Sequence, residues 1–88
     1  MKIRFAKSAL EDYQYWRDND PKLFDRIHVL LRQIKEAPFS GIGKPEPLKG
    51  SLSGFWSRRI NIEHRLVYKV SGSSPQLVIF VIQCRYHY

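Results

Sequence analysis

Residues Lys2 to Ala6 alternate polar and apolar, which predicts a short opening strand. Ser8 then stands where a helix cap is expected, and Glu11 three residues on completes a capping box. Leu10, Tyr13 and Trp16 fall on one face of this helix, which runs to about Asp18. Asn19-Asp20-Pro21 interrupts it and starts a second helix, with Asp20 as the cap and Pro21 in the first turn. There Leu23, Phe24, Ile27, Leu30, Leu31 and Ile34 recur at three- and four-residue spacing, an apolar stripe that must face a core. His28 borders the stripe and reads as a boundary histidine without chemistry, and Ala37-Pro38 ends the helix. Residues 39–53 lack periodicity and are rich in Gly, Pro, Ser and Lys; a structured loop of that length usually carries function. Gly54 to Asn61 and His64 to Ser71 read as a hairpin, and Gly72-Ser73-Ser74-Pro75 as a turn. Gln76 to Arg85 is a strand apolar on both faces, as at the centre of a sheet covered by helices on one side. The expected fold is α+β: a single compact domain over residues 1–88, with an N-terminal strand and two helices packed on one face of an antiparallel β-sheet.

Charge adds a direction to this picture. The 88 residues carry a formal charge of +7, enough to attract a polyanion over several ångströms. Five acids (Glu11, Asp12, Asp18, Asp20, Asp25) precede Glu36, whereas Lys44, Lys49, Arg58, Arg59, Arg65, Lys69 and Arg85 face only Glu46 and Glu63 in the later half. Phe55, Trp56, Tyr68, Tyr86 and Tyr88 interleave with those cations, the composition of a surface that binds single strands or RNA. The longest apolar run, Leu77 to Ile82, falls far short of the roughly 20 residues a membrane span needs, and no secretory leader follows Met1. A lone cysteine, Cys84, excludes an internal disulfide framework, and no Cys/His spacing suggests zinc. The expectation is a cytoplasmic protein with no metal, no cofactor and no membrane partner.

Cleaving RNA without a metal requires a base for the 2′-hydroxyl, a cation for the phosphorane and an acid for the departing 5′-oxygen. The chain offers Glu46 in a basic loop stiffened by two prolines, Arg65 inside an apolar strand, and His87 near the end. Spacing alone favours an ordinary salt-bridge residue for Glu46, and Tyr86-His87-Tyr88 reads as well as a solvated tail. Arg65 points either to solvent or to a bound phosphate, which a guanidinium matches bidentately. Arg58 and Arg59 face opposite ways on the neighbouring strand, so one of them joins Arg65, and the alternation leaves open which. Cys84, Trp16 and Phe24 read as core, and Trp56 as a support for the loop that holds Glu46.

Gly43-Lys44-Pro45-Glu46-Pro47-Leu48-Lys49, Ser53 to Ile60, Glu63-His64-Arg65-Leu66-Val67-Tyr68 and Cys84-Arg85-Tyr86-His87-Tyr88 together resemble the YoeB toxin family of the RelE/ParE superfamily. The resemblance spans essentially the whole chain and departs mainly at the 71–76 turn, which is longer than usual. It implies the toxin of a bacterial type II toxin–antitoxin pair, an endoribonuclease that cuts messenger RNA in the ribosomal A site and leaves a 2′,3′-cyclic phosphate. Carried over by position, it makes Glu46 the general base, Arg65 the phosphate-stabilising arginine, His87 the general acid and Tyr88 the terminal aromatic that orients substrate. Lys49 and Arg59 match positions that bind the RNA backbone, and Lys44 and Arg58 extend that basic set. It further implies a YefM-like antitoxin with an acidic toxin-binding segment, toxin dimers, and operator DNA bound only through the antitoxin complex. Two rival readings stand beside it: a ParE-like toxin acting on gyrase, and an RNA-binding module without turnover.

Overall fold

The computed structural model describes residues 2–73 and 75–86. In chain order its elements are β1 (Lys2–Phe5), α1 (Lys7–Asn19), α2 (Pro21–Glu36), β2 (Glu46–Pro47), β3 (Trp56–Arg59), β4 (Arg65–Ser71) and β5 (Val78–Gln83), with a 3₁₀ turn over Gly50–Leu52. The sheet order is β1-β5-β4-β3-β2. From β2 to β5 the pairing is antiparallel, as the hairpin pattern predicts, but β1 runs parallel to β5. Alternation marks a strand without giving its direction. The helical pair returns the chain so that its first strand lies beside its last, and the sheet is therefore mixed.

The helices cover one face. Leu23, Ile27, Leu30, Leu31 and Ile34 of α2 are buried against Leu66, Tyr68, Ile79 and Val81 of the sheet. Each such side chain contributes about 1.5–3 kcal/mol on leaving water. Asp20 caps α2 as expected, its Oδ1 accepting from the Leu23 amide at 3.1 Å. The Ser8 capping box does not form: α1 starts at Lys7, and Ala6 occupies the cap position with no side-chain bond. The reason lies in β1, because the Ala6 amide still donates to the Val81 carbonyl (2.8 Å), so strand passes into helix with no residue between for a cap. Leu10 turns outward, 41% exposed, and Ala9 is buried in its stead, while Trp16 is buried and Tyr13 packs against the core as the spacing predicts. His28 is a boundary residue as read, and its Nε2 lies 2.6 Å from the Tyr13 hydroxyl.

Among the described residues no helix is long and apolar enough to cross a membrane. Cys84 is fully buried, and burial, aided by nearby Asp12, pushes its thiol up to about 12. It is a small core residue that stays protonated and unreactive in the folded chain.

Candidate active site

Paired residues in an antiparallel sheet point to the same side. Register therefore settles what alternation left open. Arg58 pairs with Leu66, a core residue, whereas Arg59 pairs with Arg65. Arg59 and Arg65 thus share the face opposite the helices. On that same face Glu46 pairs with Ser57, Ser57 with Val67 and Val67 with Gln83, a row that crosses four strands. Glu46 and Arg65 lie in adjacent rows two strands apart, so their backbones are separated by about 10 Å across the sheet.

Glu46 owes its position to the loop before it. The Tyr68 hydroxyl donates to the Pro38 carbonyl (2.7 Å), and Arg58 donates to the carbonyls of Ala37, Ser40 and Ile42 at 2.5–3.0 Å. Gly43, at φ +80°, accepts from the Arg59 amide at 2.7 Å and lies so close to Leu30 and Arg58 that a Cβ would meet them at 3.0 and 3.1 Å. With residues 37–43 fixed at these points, the chain enters β2 beside β3. Pro47, which has no amide to pair, suits that edge strand, and Trp56 opposite it stacks on Phe39 with ring centres 4.8 Å apart. Trp56 supports the loop, as read from the sequence.

Arg65 is set by the β3–β4 connection. Asn61 Oδ1 accepts from the amides of Glu63 (2.8 Å) and His64 (2.7 Å), an Asx turn that closes residues 60–64. The carbonyls of Asn61, Ile62 and His64 then converge on Arg65 Nη1 at 2.8, 3.3 and 3.1 Å. Among the described residues these bonds hold the guanidinium through Nη1, and the residue is only 9% exposed.

Of the expected RNA-binding cations, Lys44, Lys49 and Arg59 are exposed, Lys44 in a left-handed conformation at φ +51°. Arg58 is a correction. It is fully buried, and besides the three loop carbonyls it donates to Gln33 Oε1 (3.0 Å) and the Tyr68 hydroxyl (3.1 Å). Its donors are committed to the protein, so it has none to offer a phosphate. His87 and Tyr88 lie outside the described residues.

Leading up to them, the chain after β5 is held residue by residue. Trp16 Nε1 donates to the Cys84 carbonyl (2.8 Å). The Arg85 guanidinium stacks 3.8 Å from the centre of the Tyr15 ring and 4.7 Å from that of Tyr86, which compensates its buried Nε for lacking a hydrogen-bond partner among the described residues. Tyr86 takes φ +64°, its amide donating to His64 Nδ1 (2.7 Å) and its carbonyl accepting from the Arg65 amide (3.1 Å) and Gln83 Nε2 (3.3 Å). His64 and Gln83 escaped sequence reasoning, since only the register shows that they flank the same residue.

Other places carry less chemistry. A concavity of about 410 Å³ at the β1 edge is lined by Lys2, Arg4 and the 75–78 segment, with no acid–base group. Among the described residues no three His, Cys, Asp or Glu side chains are grouped to hold a metal ion.

The family described as YoeB-like toxins of bacterial type II toxin–antitoxin systems matches residues 5–88. The Streptomyces coelicolor toxin YoeB is 53% identical over the full length of both chains. A solved YoeB/ParE toxin from Agrobacterium tumefaciens superposes with a TM-score of 0.95 at 50% identity, each chain covered completely. Staphylococcus aureus YoeB, solved as a dimer and in a heterotetrameric complex with YefM, gives a TM-score of 0.90 at 46% identity, covering 100% of this chain and 98% of that one. With the loop, the paired arginines and the anchored terminal segment all in place on a shared fold, the chain belongs to the YoeB family of type II toxin–antitoxin toxins.

Proposed function

We propose that this toxin is a ribosome-dependent endoribonuclease that cuts messenger RNA in the A site by acid–base catalysis without a metal. The observation that carries the reading is the register that sets Glu46, Arg59 and Arg65 on one face of the sheet, with Lys44 and Lys49 exposed on either side of Glu46 along the chain. In this mechanism Glu46 takes the proton of the 2′-hydroxyl, and the 2′-oxygen attacks its own 3′-phosphate. Arg65 neutralises the phosphorane through donors not used by its turn. As the bond from phosphorus to the 5′-oxygen breaks, His87 gives that oxygen a proton, with Tyr88 orienting the substrate. The products are a 2′,3′-cyclic phosphate and a 5′-hydroxyl. A substrate held on the ribosome places the toxin in the cytoplasm.

The same basic face suits an antitoxin of YefM type with an acidic segment, which would cover the Glu46–His87 site. The S. aureus structures support both this pairing and a toxin dimer. Operator DNA is reached through the antitoxin complex. A copurified partner that leaves the basic face open would overturn the antitoxin reading.

The test is cleavage of a defined messenger in a purified translation system. Wild type is expected to cut at A-site codons with cyclic phosphate ends, and Glu46→Ala and His87→Ala to lose about 10²–10⁴-fold in rate while still binding ribosomes. Ribosome binding without cuts by the wild type would overturn the enzyme and leave an RNA-binding module or a gyrase-directed toxin.

A further inference from the structure

We propose that His64 is a positioning residue for the acid-bearing end of the chain, acting through the Tyr86 amide; this rests on the nuclease reading above. His64 precedes Arg65 and is 7% exposed, its ring packed edge-on against Trp16 at 4.7 Å. A buried imidazole needs its nitrogens satisfied. Nδ1 accepts from the Tyr86 amide at 2.7 Å, so the ring proton resides on Nε2, which faces Glu63 Oε1 at 3.8 Å.

The neighbouring contacts make this bond a registration point rather than a general clamp. The Tyr86 carbonyl accepts from the Arg65 backbone, so His64, just before β4, and Arg65, its first residue, grip both polar groups of one residue. Tyr86 is also held at a positive φ, which a tyrosine adopts only when its surroundings impose it. One peptide bond separates it from His87, the proposed acid, while the Arg65 side chain is the proposed phosphate ligand. His64 thereby couples the start of the acid-bearing segment to the strand that presents the phosphate site, and errors there carry directly into acid-to-phosphate geometry.

Asparagine and glutamine separate this role from simple packing. The Asn side-chain carbonyl sits near the position of Nδ1, whereas the Gln carbonyl reaches to the position of Nε2. In the ¹⁵N-labelled full chain, the His64 ring is expected to show the Nε2–H tautomer; an Nδ1–H ring would overturn the proposal without any substitution. His64→Gln is expected to speed exchange of the Tyr86 amide by about tenfold and slow single-turnover cleavage by up to about 10²-fold, with ribosome affinity unchanged. His64→Asn is expected to restore both. Unchanged Tyr86 exchange in His64→Gln, or equal loss of cleavage in the two variants, would overturn the role of His64. A wild type that cuts nothing would overturn the nuclease reading, and the exchange and tautomer measurements would still decide the anchor.

Discussion

Arg58 and Arg59 are adjacent, equally charged and placed on one short strand, yet they belong to different chemistries. Arg58 faces the helices with no exposure and binds three loop carbonyls, a glutamine and a tyrosine. Arg59 stands exposed on the other face, paired with Arg65. The two layers differ in charge as well. Residues 7–36 carry six cations and six acids and so no net charge, whereas residues 37–88 carry seven against two and hold +5 of the total +7. The helices give the fold its apolar cover and neutral back, leaving the strands and the loop to concentrate positive potential on the open side. A cation's contribution here depends on which side of one strand it occupies.

The sharpest way to break this contrast is to truncate both arginines. Arg58→Ala leaves the Tyr68 hydroxyl, Gln33 and the carbonyls at 37, 40 and 42 without their donor, beside a cavity. Each buried polar group left without its partner costs about 1–3 kcal/mol, and several at once take a large share of the roughly 5–10 kcal/mol that holds a chain of this size together. In thermal unfolding Tm should fall by at least about 12 °C. Arg59→Ala should stay within about 0.5 kcal/mol of wild type while weakening ribosome-bound cleavage. Equal Tm losses for the two would show that Arg58 does not lock the loop.

A milder intervention at the same junction is Gly43→Ala. The added methyl would meet Leu30, Arg58 Cβ and the Arg59 carbonyl at 3.0, 3.1 and 3.2 Å, on a backbone already at φ +80°. Strain of this kind costs about 1–3 kcal/mol. Since Gly43 joins the loop to β3, the variant should lose cleavage out of proportion to its loss of stability. Chemical denaturation and single-turnover cleavage measured together would show whether the two losses separate; if activity merely follows the folded fraction, the loop does not position Glu46.

These experiments probe what the sequence made visible and what it did not. The α2 stripe and the Asp20-Pro21 start were legible because local spacing and capping determine them. So were the strands β3 to β5, which alternate or run apolar between turn residues. The parallel setting of β1 was not, because strand direction depends on where the helical pair returns the chain. Arg58 illustrates the harder limit. Its fate turns on whether the β3–β4 connection contains five residues or four, and a single step exchanges every side chain between faces. The candidate base and phosphate ligand were named through family resemblance, with local chemistry leaving salt-bridge alternatives open. Their shared face is a consequence of register alone. His64 and Gln83 were invisible because their partner, Tyr86, lies 22 and 3 residues away and meets them only after the chain turns at a positive φ.

The smallest expected effect concerns the helix-side hold on that same segment. Asp12 of α1 lies beside the start of the terminal segment, where burial raises its carboxyl above the ordinary range, opposed by a hydrogen bond from the Cys84 backbone and by Arg85. A carboxyl whose folded value is raised binds a proton more readily in the folded chain than in the unfolded one. Its charged form therefore weakens the fold above the folded value, and this penalty vanishes as pH falls below the unfolded value. Asp12→Asn keeps an oxygen to accept from Cys84 and removes the titration. The Tm of wild type minus that of Asp12→Asn should thus rise as pH is lowered from 7 to about 4 through the carboxylate range. A difference that instead falls on acidification would mean that the attraction of Asp12 to Arg85 and the Cys84 amide outweighs its burial. The helix face would then grip the terminal segment by charge, the role that the contrast between the two faces assigns to the open side alone.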